Sequence, residues 1–103
     1  MFGAGGVWLE LIKDLAFAAP GFDHAGAERL VAATRANTLL KGYRGDGSYD
    51  RAAIIDALIA VGRLAADAGD ALESLDINPF VALPAGQGAF ALDALVIAKA
   101  NAV

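Results

Sequence analysis

From Leu72 onward the chain alternates in short runs, Leu72 to Asn78, Phe80 to Leu83 and Ala89 to Ile97. Pro84-Ala85-Gly86-Gln87-Gly88 separates the last two. Alternation around a glycine-bearing break is the signature of an antiparallel hairpin. No other feature constrains the fold as much, because a hairpin fixes which residues face each other. Residues two apart on a strand share a face, so Asp76 and Asn78 point one way while Leu75 and Ile77 point into the core. Folding about Gly86 sets Asn78 opposite Asp93 or Ala94, and opposed residues lie about 5 Å apart at Cβ. Pro79 cannot donate to a ladder and predicts a bend or an edge after Asn78.

Upstream, Val7 to Lys13 sets Val7, Leu9 and Leu11 against Trp8, Glu10 and Ile12. Both faces are largely apolar, which predicts an interior strand. Leu15 to Ala18 predicts a second short strand returning as a hairpin, ended by Pro20-Gly21. Gly3-Ala4-Gly5-Gly6 reads as a flexible lead-in. It precedes a strand, whereas phosphate-cradling glycines follow a strand and open a helix. Asp23 is placed to cap a helix from His24 to about Asn37, with Ala27, Leu30, Val31 and Thr34 at helical spacing. Lys41 to Gly47 reads as a loop. Ser48 or Asp50 caps a second helix to about Ala68, whose Ile54, Ile55, Leu58, Ile59, Val61, Leu64 and Ala65 form a broad apolar stripe. Gly69-Asp70 closes it. Strands on either side of a helical pair predict an α+β fold, an antiparallel sheet with two helices packed on one face, over a single domain of residues 1–103.

Composition narrows the partners. The 103 residues are 57% hydrophobic and 19% charged, which suits a folded domain with a modest core. Net charge is −4, and the eight Lys and Arg form no basic stripe. No nucleic acid and no membrane partner is therefore expected. No run approaches the roughly 18 apolar residues that span a bilayer. The first residues carry no basic stretch before an apolar core, so no secretory signal is expected. The absence of cysteine excludes disulfides and thiolate metal sites and suits a cytoplasmic protein.

Asp76, Asn78 and Asp93 are the candidate metal ligands. A carboxylate and an amide oxygen held about 5 Å apart can reach one cation. Mg²⁺ bridging nucleotide phosphates is held in this way, by a few protein oxygens with water and phosphate completing the shell. A plainer reading stands beside this one: Asp-x-Asn at a strand end is a common turn former or cap, and Asp93 could face solvent on a one-sided sheet.

These residues also carry a resemblance. Asp76-Ile77-Asn78-Pro79-Phe80 with Ala91-Leu92-Asp93-Ala94 resembles the C-terminal end of the ATP-grasp domain of NDP-forming acyl-CoA synthetases, relatives of the succinyl-CoA synthetase β subunit. Phe2-Gly3-Ala4-Gly5-Gly6-Val7-Trp8-Leu9-Glu10 is similar to the glycine-rich lead into a strand of that family. Leu11-Ile12-Lys13-Asp14-Leu15-Ala16-Phe17 with Pro20 is similar to the hairpin that follows. Leu39-Leu40-Lys41-Gly42-Tyr43-Arg44-Gly45 is similar to its loop between helices. The resemblance spans nearly the whole chain, and the order of the motifs makes it specific.

The resemblance implies that Asn78 and Asp93 are nucleotide-Mg²⁺ ligands, with Asp76 at a position that is usually acidic. It implies ATP or ADP and Mg²⁺ as cofactors, and the reversible conversion of acyl-CoA, phosphate and ADP to free acid, CoA and ATP. It also implies partners: an upstream ATP-grasp lobe bearing the phosphate-binding lysine, and a CoA-binding domain or subunit. The chain then reads as a C-terminal piece with little synthetase activity of its own. Two alternatives stay open, a non-catalytic assembly module that forms a homo-oligomer or seeks the missing lobe, and the ATP-grasp-like segment of a protein acetyltransferase. Glu10 is a candidate for the nucleotide cleft or for a structural ion pair, and Arg44 for a phosphate contact or a solvated turn. His24, the single histidine, reads as a surface residue beside a helix cap. Trp8 and Phe17 read as core or interface aromatics.

Overall fold

The computed structural model describes residues 1–3, 15–34, 36–41 and 48–100. Two chain segments form its body. The first begins with β1 (Phe2–Gly3) and β2 (Leu15–Ala16), paired antiparallel with Phe2 opposite Ala16. Then come α1 (His24–Ala32) and α2 (Ala36–Leu40). The second segment is α3 (Arg51–Ala68), a 3₁₀ turn (Gly69–Ala71), then β3 (Leu72–Ile77), β4 (Phe80–Ala82), β5 (Ala89–Ala91) and β6 (Ala94–Ala98). The α+β class is the one expected. Among the described residues its strands form three two-stranded antiparallel ladders, β1–β2, β3–β6 and β4–β5.

Each cap has its cause. The Asp23 carboxylate accepts from the Gly26 N–H at 2.8 Å, satisfying a donor left open at the start of α1. The helix expected to reach Asn37 ends at Ala32. There the Thr34 hydroxyl and Thr34 N–H both turn back to the Val31 carbonyl, at 2.8 and 3.0 Å, and the local bond displaces a helical turn. Asp50, not Ser48, caps α3, its Oδ1 accepting from the Ala53 N–H at 3.0 Å. Gly69 closes that helix with its N–H on the Ala65 carbonyl.

The core is the seam between α1 and α3. Ala27, Val31, Ile54 and Ile55 are buried, and Phe2, Phe22, Leu40, Leu58, Ile59, Phe80 and Ala82 pack against them. Gly62 makes this seam possible, since a Cβ there would stand 3.1 Å from the Phe22 ring. Arg51 ties three helices, with Nε donating to Asn37 Oδ1 at 3.1 Å and the guanidinium paired with Glu28. The expected strand Val7–Lys13, the residues Ala4–Gly6 and the loop after Lys41 lie outside the described residues. The expected strand Leu15–Ala18 is shorter, Leu15–Ala16, and its partner among the described residues is Phe2–Gly3, although Gly3 was expected to open a flexible lead-in.

Candidate functional site

The hairpin predicted from alternation is present, and its register is the first of the two anticipated. In β3–β6, Ile77 faces Ala94, Asp76 faces Leu95 and Leu75 faces Val96. In β4–β5, Phe80 faces Ala91, Val81 faces Phe90 and Ala82 faces Ala89. The two ladders are one ribbon with an unchanged register across Asn78-Pro79. There the Asn78 N–H donates to the Asp93 carbonyl at 3.1 Å and the Leu92 N–H to the Pro79 carbonyl at 3.0 Å. The Asn78–Pro79 peptide is cis. Pro79 has no N–H to give, and the regular ladders stop on either side of it.

This register brings together three of the five residues singled out. Asn78 and Asp93 stand directly opposite each other, and Asp76 lies two residues along the same face. All three are exposed. Among the described residues their side chains have no hydrogen-bond or ion-pair partner. Two carboxylates and an amide are hard oxygen donors that suit Mg²⁺ and leave room for phosphate and water. No group of three or more His, Cys, Asp or Glu side chains that could hold a metal occurs among the described residues. Glu10 and Arg44 lie outside the described residues.

The ribbon is aimed by contacts that reading the sequence did not anticipate. Gly88 N–H donates to Asp50 Oδ2 at 2.6 Å, Asp50 N–H to Leu83 O at 2.7 Å, and Ala85 N–H to Ser48 O at 3.0 Å. The carboxylate that caps α3 thus also clamps the hairpin tip. Only the cap half of that role has a local signal, because Asp50 and Gly88 are 38 residues apart. Elsewhere, a cleft of about 460 Å³ between the β2–α1 connection and α1 is lined by Phe17, Pro20, Phe22, Arg29 and Leu30 among others, and by none of the candidate ligands.

An antiparallel ribbon with an oxygen-rich face beside a helical pair matches a known class of domain. The ATP-grasp domain profile matches residues 1–97, and the chain belongs to that family. Its relatives include the β subunit of ADP-forming acetate–CoA ligase II from Pyrococcus furiosus, 34% identical over 96% of this chain and 42% of that protein. Trans-feruloyl-CoA synthase of an unknown prokaryotic organism is 36% identical over 94% of this chain and 14% of its own length. A crystal structure of a Pyrococcus horikoshii protein superposes with TM-score 0.90 at 30% identity, covering 97% of this chain and 42% of that one. The dinucleotide-forming acetyl-coenzyme A synthetase 1 of Ca. Korarchaeum cryptofilum, in complex with coenzyme A and Mg-AMPPCP, gives 0.86 at 36%, covering 95% and 45%. The chain thus spans less than half the length of these relatives.

Proposed function

We propose that the chain is the C-terminal, Mg-nucleotide-holding piece of an ADP-forming acyl-CoA synthetase. Asn78 and Asp93 hold the metal of Mg-ATP or Mg-ADP, and Asp76 stands beside them as a further ligand. The observation that carries this reading is the direct opposition of Asn78 and Asp93, with Asp76 on the same exposed face. When bound, Mg²⁺ neutralises charge on the phosphates and so supports phosphoryl transfer. The chain's own contribution is placement: a hydrogen-bonded ribbon fixes two ligand positions before nucleotide arrives, and little ordering is left for binding. Glu10, toward the nucleotide, and Arg44, toward a phosphate, are further candidates.

The upstream lobe and the CoA-binding domain or subunit belong to the remaining length of such an enzyme, and the chain alone has little synthetase activity. With no cysteine in the sequence, and no helix among the described residues long and apolar enough to cross a membrane, a cytoplasmic setting is proposed. Asn78→Ala and Asp93→Ala are each expected to abolish Mg-dependent ADP binding, measured by calorimetry on the chain with the upstream lobe supplied in trans. Unchanged binding in both variants would remove these residues from the ligand set.

A further inference from the structure

Strand β6 is the least covered of the described elements. All five of its residues are exposed, with Leu95 at 59%, Val96 at 60% and Ile97 at 41%. Among the described residues it pairs with β3 alone, on one edge. An edge strand with a bare apolar surface is a template for another strand.

The backbone shows what the open edge can accept. Asn78 N–H bonds the Asp93 carbonyl at 3.1 Å, and Lys99 N–H bonds the Ala71 carbonyl at 2.9 Å. Hydrogen-bonding direction alternates along an antiparallel strand. The odd-numbered residues of this stretch therefore turn their N–H and C=O toward β3, and Ala94, Val96 and Ala98 turn theirs outward. A second copy laid antiparallel about Val96 meets the same outward groups: Val96 bonds Val96 of the second copy, and Ala94 and Ala98 bond each other's counterparts. The side chains agree with that register. Leu95 then faces Ile97 of the second copy, and Asp93 faces Lys99 of the second copy at both ends of the strand. Neither Asp93 nor Lys99 has an ion-pair partner among the described residues. Other registers bring the apolar residues together but lose this matching of opposite charges.

We propose that the edge of β6 left unpaired among the described residues is an interaction surface for a second copy of this chain, joined about a two-fold axis at Val96 into one sheet ordered β3–β6–β6–β3. Such an interface is isologous and closes on itself, so association stops at the dimer. Nothing in this rests on Asp93 being a metal ligand.

Sedimentation equilibrium of the full chain at low salt tests it. The wild type is expected to show a reversible monomer–dimer equilibrium that weakens with salt. Lys99→Asp, and separately Asp93→Lys, each place like charges opposite one another and are expected to weaken the dimer about tenfold. The double variant Asp93→Lys/Lys99→Asp restores opposite charges and is expected to recover the wild-type equilibrium. Amide spectra of each variant check that the hairpin is intact. A wild type that stays monomeric to millimolar concentration overturns the proposal. So does open-ended assembly, or a dimer indifferent to both single reversals.

Discussion

Asp50 shows how much one carboxylate can organise. One oxygen caps α3 through Ala53 N–H, and the other receives Gly88 N–H from the hairpin tip. Asp50→Ala strips both bonds, and a loss of about 2 kcal/mol in urea unfolding is expected. Asp50→Asn keeps an acceptor for the cap and should lose less. Much at this scale was legible because it is local. Asp23 and Asp50 each cap by reaching three residues ahead, and a short polar residue before an apolar stripe announces that. Asp50 with Gly88, and Arg51 with Glu28 and Asn37, carry no such signal, since only the tertiary fold brings the partners together.

At the scale of elements, α3 and the ribbon divide the work. The helix supplies the core: Ile55 is 1% exposed, and Ile55→Ala is expected to cost about 2–5 kcal/mol in thermal or urea unfolding. Gly62→Val should destabilise by about 1–3 kcal/mol, because the added side chain meets the Phe22 ring that Gly62 admits. The ribbon supplies placement. Its register was readable in advance because alternation with one glycine-rich turn leaves few pairings. The break of the first helix was not, since Thr34 reads as one more residue at helical spacing until its hydroxyl is seen on Val31 O. The division of the ribbon into separate ladders at Pro79 was readable too, since a residue with no N–H interrupts the regular pairing of an otherwise continuous hairpin.

The whole molecule has its buried core at the α1–α3 seam and an apolar strand, β6, left exposed. That asymmetry fits a chain spanning 42% of its Pyrococcus furiosus relative, and among the described residues one edge of β6 has no strand beside it. The two proposals meet at Asp93: a metal-nucleotide held there competes with Lys99 of a second copy. Mg-ADP is therefore expected to shift the dimer toward monomer, as read by sedimentation. The central claim is that the Asp76, Asn78 and Asp93 face is preset to hold Mg-nucleotide. Its most direct test is an amide NMR titration of the chain with Mg²⁺ and then ADP, repeated on Asn78→Ala and Asp93→Ala. Shifts centred on Asp76, Asn78 and Asp93 that vanish in both variants are predicted. Shifts centred elsewhere, or a response unchanged by either substitution, would contradict it.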